Sequence, residues 1–162
     1  MTILYQHDVY VMDWVIEGQL LYGRMWGEWG SQDMQKWDVE IQEMLEAARQ
    51  RDMILHAIWD QSEVKKLASI QDYMRLEARL HPSAGWNVII NSPNAAQKFI
   101  LSAATQLMKM RLRFVNSLDE AVDLLKSVDY RLETTDVMSA VRHVSQQQVD
   151  FLKTYPHYIS VG

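Results

Sequence analysis

The feature that most constrains the fold is a regular alternation of strand and helix patterns along the middle of the chain. Apolar segments typical of strands occupy residues 53–60, 86–92 and 111–116. Between them, residues 63–80 and the segment after Pro93 carry apolar residues at helical spacing. Strands that are separated by helices pair in parallel through right-handed crossovers. The sequence therefore predicts an α/β protein with a mainly parallel sheet.

A β-hairpin is predicted to start this sheet. Residues 8–16 alternate between apolar and polar side chains, Glu17-Gly18 is a tight-turn signal, and a second strand follows over 19–29. With the later segments, the predicted order of elements is ββαβαβαβα. Local signals for the ends of the helices are Ser31 before a helix over 32–50, His81-Pro82 after 63–80, Ser92-Pro93 before the next helix, and the capping box Ser117–Glu120.

The strands alternate in polarity, whereas a parallel sheet covered on both faces reads as continuous apolar runs. We therefore expect the four helices up to residue 128 to lie on one face. The opposite face would be open, or covered by the C-terminal segment or a partner, and Tyr22 and Trp26 would form an exposed aromatic pair on it. The candidate binding patch on this face comprises Tyr22, Arg24, Trp26, Glu28, His56, Asn87 and Arg113.

Composition excludes several classes of function. The chain has no cysteine, which rules out disulfides and thiolate metal sites and is compatible with a reducing cytoplasm. A net charge of −5 without a basic run makes nucleic acid a poor partner. No apolar run approaches the ~20 residues of a membrane helix, and the first residues lack a signal-peptide pattern, so we expect a cytoplasmic protein without a membrane span. Ten methionines and six tryptophans are typical of a well-filled core, or of an apolar ligand site.

The sequence lacks the parts of the common catalytic and cofactor sites. It contains no glycine-rich phosphate loop, no Gly-x-Ser-x-Gly elbow and no metal-binding histidine pattern, so we predict no catalytic residues, no metal and no cofactor. His56 lies in the middle of a predicted strand. We interpret it as a hydrogen-bonded sheet histidine, the alternative being a hydrolase that uses His56 with Asp60 or Glu28.

The order of elements resembles the SpoIIAA-like fold of STAS domains, and looks closest to an uncharacterised bacterial STAS-like group. The segments that carry the resemblance are LLYGRMWGEWGSQDM, ILHAIWDQSEV, HPSAGWNVIINSP and KFILSAATQLMKMRLRFVNSLDEAVDLL, which fall within residues 8–128. The resemblance implies a domain over residues 1–129 with helices mostly on one face. Residues 130–162 would then be an extra helical segment and arm, packing on the domain or on a partner.

Anti-sigma-factor antagonists of this family carry a phosphorylated serine in an Asp-Ser-Gly or Asp-Ser-Ser-Gly motif at the start of a helix. The comparable stretch here is WDQSEVKKL, which has Asp60 and Ser62 but neither an Asp-Ser pair nor a glycine. We therefore expect Ser62 to be the N-cap of the helix over 63–80 rather than a phosphorylation site.

Three functions follow as hypotheses. The first is a non-enzymatic STAS-like interaction or regulatory module, a homodimer through the open face or the tail, with a protein partner. The second is a binder of a small apolar or amphipathic molecule, because the SpoIIAA-like fold resembles the lipid-binding CRAL-TRIO fold and the methionine and tryptophan content suits such a pocket. The third is the hydrolase based on His56.

Overall fold

In a computed structural model, residues 5–90, 92 and 95–154 are described, and they form one six-stranded sheet whose strands lie in chain order. The strands β1 to β3 are antiparallel and β3 to β6 are parallel, which confirms the mainly parallel sheet begun by a hairpin. The strands are β1 Tyr5–His7, β2 Tyr10–Ile16, β3 Leu20–Glu28, β4 Leu55–Lys66, β5 Ala84–Ile90 and β6 Leu112–Val115. The helices are α1 Ser31–Gln50, α2 Ile70–Met74, α3 Ala95–Met108, α4 Leu118–Val128 and α5 Val137–Thr154, with short 3-10 turns at Ala78–Leu80 and Tyr130–Leu132.

The hairpin turn between β2 and β3 is built as the sequence predicts. Gly18 has a φ of 78°, a left-handed conformation that glycine adopts without steric cost. The N–H of Gln19 donates to the carbonyl of Ile16 and closes the turn. The strand β1, which pairs with β2, was not predicted.

Helices cover both faces of the sheet. The helices α1, α2 and α3 lie on what we call the first face, over a core that includes Leu21, Met25 and Trp59. The helices α4 and α5 lie on the second face, over Tyr22, Ile58 and other apolar residues of the sheet. Three of the five helices thus share one face, but the expectation that α4 joins them is wrong. The polar residues that break the apolar runs, such as His56 and Asp60 in β4, are buried beneath helices rather than exposed to solvent.

The strand β5 presents the opposite side chains from those expected. Val88 and Ile90 belong to the core of the second face, whereas Ile89 belongs to that of the first. The pairing of Ala57 with Asn87 places Asn87 on the first face as well. The alternation of side chains along a strand shows which residues of that one strand share a face, but not which face of the sheet it is. The phase between strands depends on their register, which here includes an irregularity between Leu55 and Ala57.

The predicted helix over 63–80 is mostly absent. The strand β4 continues to Lys66, because its last residues pair with β3 as far as Glu28. The short helix α2 begins later, and Ser69 is its N-cap, accepting a hydrogen bond from the N–H of Asp72 at 3.2 Å. Ser62 is therefore an exposed strand residue and not a helix cap.

The helix α3 is rotated relative to its most apolar stripe. The apolar residues at helical spacing after Pro93, which the sequence pattern places on one side of this helix, are Ala96, Phe99, Ile100, Ala103 and Leu107. The buried residues are instead Gln97, Leu101, Ala104 and Met108. Phe99 and Leu107 are 72% and 64% exposed. The predicted start of this helix at Pro93 lies outside the described residues.

Candidate functional site

The predicted patch on the second face is not an open surface. Tyr22 is 1% exposed and Trp26 is 5% exposed. The helix α5 covers both, with Leu152 packed in one cluster with Trp26. The side-chain amide of Gln148, itself fully buried, donates to the backbone carbonyl of Tyr22 at 3.1 Å. The expectation of an exposed aromatic pair is therefore wrong, since the C-terminal helix of the same chain buries it.

Arg24 joins α5 to the sheet through a buried polar network. Its guanidinium forms an ion pair with Asp60 at 3.2 Å and donates to the hydroxyl of Ser145 at 3.1 Å. Ser145 in turn donates to the hydroxyl of Tyr22 at 3.2 Å. Burial raises the pKa of Tyr22 above its ordinary value, so the phenol stays neutral. The network therefore connects α5 to the sheet, and its role is structural.

Both ring nitrogens of His56 are engaged. Nδ1 accepts a hydrogen bond from the backbone N–H of Trp86 at 3.0 Å, and Nε2 lies 2.9 Å from the Asp129 carboxylate. Because Nδ1 is an acceptor, the proton of the neutral ring is on Nε2 and is donated to Asp129. Burial lowers the pKa of His56, which favours this neutral form. Burial alone would raise the pKa of Asp129, but hydrogen bonds from His56 and Arg131 outweigh it and hold that pKa below its usual range.

This geometry confirms the sheet-histidine interpretation and gives no support to a hydrolase. A general base needs a lone pair within reach of substrate, and the Nδ1 lone pair of His56 is already used by a backbone donor. The hydrogen-bond partner of Nε2 is Asp129, rather than the expected Asp60 or Glu28. His56 is also only 3% exposed, so substrate has no access to it.

The remaining members of the predicted patch lie apart. Asn87 is on the first face, where its side-chain oxygen accepts from the indole N–H of Trp59 at 3.0 Å. Arg113 is exposed near the sheet edge, with its guanidinium 5.5 Å from the ring of Trp86. Glu28 is exposed at the end of β3. The structure thus brings Tyr22, Arg24, Trp26, His56 and Arg113 onto the second face, as predicted, but does not assemble the seven residues into a site.

A cavity lies instead between the first face and the helices α1, α2 and α3. It holds about 40 Å³. Its walls include the four methionines Met25, Met34, Met108 and Met110. They also include the three tryptophans Trp29, Trp37 and Trp59, of which Trp37 packs edge-on against Trp59 with ring centroids 5.3 Å apart. We call this space the Met/Trp cavity.

Three polar atoms in the walls of the Met/Trp cavity have no hydrogen-bond partner among the described residues. They are the indole nitrogens of Trp29 and Trp37 and the side-chain oxygen of Gln61. Gln61 is 3% exposed, and its amide nitrogen contacts only the sulfur of Met25, at 3.6 Å. Buried polar groups without partners are uncommon in folded proteins, and each costs about 1–3 kcal/mol.

A second cavity of about 40 Å³ adjoins the first. The two share the wall residues Trp37, Trp59, Leu76, Asn87 and Met110. In the described walls of both cavities, the only charged side chain is Arg79, which belongs to the second. We call this second space the Arg79 cavity.

The sequence indicates an apolar pocket through its composition but does not show where in the fold that pocket lies. The counts of methionine and tryptophan suggested an apolar pocket, and seven of those residues line the Met/Trp cavity. Gln61 and Arg79 had no such signal. They lie in the segment predicted as strand end and helix, which the structure folds as a longer strand and a 3-10 turn.

Within residues 5–90, 92 and 95–154, no group of three or more His, Asp or Glu side chains is placed to hold a metal ion. Across the same ranges, no helix combines the length and apolar character needed to cross a bilayer.

Comparison with solved structures finds similarity to an uncharacterised protein of the DUF3478 family from Shewanella loihica PV-4, which has a SpoIIAA-like fold. The two chains are 19% identical, the match covers 65% of this chain and 83% of the other, and the TM-score is 0.46. That fold is the one suggested by the order of elements in this sequence, and the likeness concerns the fold alone. No protein-family model matches the chain, and no curated protein does.

Proposed function

We propose that the protein binds a small apolar or amphipathic molecule in the Met/Trp cavity. The observation that carries the proposal is a cavity with methionine and tryptophan walls that also presents unpartnered polar atoms on Trp29, Trp37 and Gln61. Ligand pockets combine apolar walls with a few placed polar groups in this way. Methionine side chains are flexible, so these walls can adapt to a ligand.

Methionine methyl resonances in NMR spectra test the proposal directly. We expect 1-hexanol, titrated into the full chain labelled with ¹³C-methyl methionine, to shift the signals of Met25, Met34, Met108 and Met110 in a saturable way. The exposed Met74 should keep its position and serves as the internal control. Concentration-independent spectra of the four cavity methionines would contradict the proposal.

A cavity-filling variant provides the matched test. Ala104 is 1% exposed and lines the cavity, so Ala104→Leu should occupy the space and weaken hexanol binding. Ala96 is exposed on the same helix, and Ala96→Leu should leave binding unchanged. If Ala104→Leu disturbs the fold by circular dichroism, Ala104→Val replaces it, because valine fills part of the same space with a smaller side chain. Equal affinity in the wall and control variants would count against the site.

A homodimeric interaction module is the second candidate function, and the exposed stripe on α3 favours it. Phe99 and Leu107 are mostly exposed, and Lys98 is the only charged residue in the 14-residue helix. Two copies of α3 can therefore pack together without bringing several like charges into contact.

Absence of cysteine supports the cytoplasm as the compartment of either function.

Sedimentation equilibrium at several concentrations tests the dimer. We expect the wild-type chain to dimerise and Phe99→Gln to weaken the association. Tyr130→Gln changes another exposed aromatic residue, 77% exposed and outside α3, and should have no effect. A monomer at all concentrations would leave the α3 stripe without this role.

A further inference from the structure

We infer that the ligand is a small carboxylic acid whose carboxylate pairs with Arg79 while its apolar body lies in the Met/Trp cavity. The inference rests on the proposed binding function and specifies the class of ligand. It starts from the guanidinium of Arg79, whose Nε is buried and has no hydrogen-bond partner among the described residues. This side chain lines the Arg79 cavity, directly beside the Met/Trp cavity.

The described residues offer Arg79 no ion-pair partner of its own. Asp38 is the carboxylate bonded to the same 3-10 turn, but its oxygens accept from the backbone N–H groups of Glu77 and Ala78 at 3.0 and 2.9 Å. One of these oxygens also accepts from the side chain of Gln42 at 3.0 Å. Asp38 therefore acts as a cap of the turn, and Arg79 keeps its hydrogen-bonding capacity for another group.

The residues that line the two cavities favour a carboxylic acid as the ligand. A guanidinium presents several N–H donors in a planar fork that matches the two oxygens of a carboxylate. No described wall residue of either cavity is an aspartate or a glutamate, so a bound carboxylate meets no like charge there. A neutral ligand would leave the buried Nε of Arg79 without an acceptor, unless it supplied a carbonyl or hydroxyl oxygen at that position.

The volumes limit the body of the acid. A water-sized group needs ~10–15 Å³, so each cavity of about 40 Å³ holds roughly three such groups. The two spaces share walls, and a chain that runs from one to the other passes Trp37 and Trp59. This points to a short aliphatic or single-ring acid rather than a long-chain fatty acid.

Hexanoate and 1-hexanol, titrated separately at neutral pH, test the inference with the full chain. Binding is read from methionine methyl shifts and from tryptophan fluorescence. We expect hexanoate to bind roughly tenfold or more tightly than hexanol, because hydrogen bonds between two charged groups are stronger than those to a neutral hydroxyl. Arg79→Met should weaken hexanoate by a similar factor and hexanol by much less, because the hexanol hydroxyl offers Arg79 only a neutral acceptor.

Two further variants make the result specific. Arg75→Met removes an exposed cation from the same segment and should leave hexanoate affinity unchanged. Arg79→Lys keeps the charge but loses the planar fork, and should give an affinity between those of wild type and Arg79→Met.

The outcomes separate the inference from the function on which it rests. If hexanoate and hexanol bind equally and Arg79→Met weakens neither, the cavity takes neutral ligands and the inference is wrong, while the proposed function stands. If neither molecule shifts the cavity methionines, the proposed function fails, and the inference fails with it. If Arg75→Met and Arg79→Met lost hexanoate affinity equally, the effect would come from the overall surface charge and not from Arg79, which would also overturn the inference.

Discussion

At position 56, a histidine lies in the middle of β4 and holds two other segments in place. It accepts from the backbone of β5 at Trp86 and donates to Asp129, the residue that follows α4. If Nδ1 were protonated, its N–H would face the N–H of Trp86, and two donors would meet without an acceptor. The neutral ring is therefore part of the folded structure, and its role is to connect the sheet to the chain that leads into α5.

The protonation of His56 predicts a dependence of stability on pH. Burial lowers the pKa of His56 from its ordinary value of 6.5, so the unfolded chain takes up a proton at a pH where the folded chain does not. The free energy of unfolding should fall as the pH drops below about 6.5. Urea denaturation from pH 7.5 to 5.0 should show this loss in the wild type and a smaller loss in His56→Gln. His143→Gln, at an exposed position, should behave like the wild type; the same slope in all three proteins would contradict the assignment.

Gly23 makes a second prediction at the scale of single residues. A Cβ added there would overlap the ring of Trp59, which lies on the neighbouring strand and also lines the Met/Trp cavity. Gly23→Ala should lower the free energy of unfolding by about 1–3 kcal/mol, as overpacking does, because the ring must move. Gly30→Ala meets only an ordinary contact and should cost under about 1 kcal/mol in the same urea measurement. A smaller loss for Gly23→Ala than for Gly30→Ala would show that Trp59 has room to shift.

Among the elements, α4 begins with a serine cap and a second, neighbouring hydrogen bond. Ser117 accepts from the N–H of Glu120 at 3.1 Å, and the Glu120 carboxylate accepts from the N–H of Asn116 at 3.1 Å. The structure thus confirms Ser117 as the N-cap that the sequence predicts. In a capping box the Glu120 side chain would accept from the N–H of Ser117, whereas here it accepts from the residue before.

Ser117 and Ser62 form a matched pair for testing helix caps. Ser117→Ala should destabilise the protein by about 0.5–2 kcal/mol, the usual loss at an N-cap. Ser62→Ala should change stability by less than about 0.5 kcal/mol, because Ser62 is exposed within β4 and caps no helix. Denaturation midpoints of the two variants in urea decide between them. A larger loss at Ser62 than at Ser117 would restore the prediction made from the sequence.

The sequence predicts elements well where short-range signals agree, and poorly where distant pairing decides. The hairpin at Gly18, the helix α1 and the order of the parallel strands depend on local patterns, and all three are present. Residues 63–66 have a helical pattern, but pairing with β3 keeps them in β4. The helix α3 also turns a different side to the sheet: Gln97 and Ala104 are buried and Phe99 is exposed, and Gln97 bonds to the distant carbonyl of Val64 in β4. The cavities were not predictable for the same reason, since their walls come from strands and helices distant in the chain.

On the scale of the whole molecule, one sheet separates two apolar cores. The cavities lie in the first, under α1 to α3, and the second is closed by α4 and α5. The helix α5 buries Val137, Val141 and Val144 against the sheet, so its apolar stripe is used within the chain. The division into residues 1–129 and 130–162 stays a prediction, and the shared second core favours joint unfolding of the two parts.

Joint unfolding gives the last prediction. Val141 is fully buried on α5, and Val141→Ala should lower the free energy of unfolding by roughly 1.5–3 kcal/mol, because two buried methyl groups are lost and a cavity is left. Because the sheet belongs to both cores, the ¹³C-methyl signals of Met25, Met34 and Met44, which lie in the first core, should show the same shifted midpoint as far-ultraviolet circular dichroism. Val39→Ala makes the same chemical change at a position 56% exposed on α1 and should shift neither midpoint downward, since alanine is the better helix former. A circular-dichroism transition in Val141→Ala that precedes an unshifted transition of these methionine signals would mean that α5 unfolds by itself, and that residues 130–162 form a separate unit.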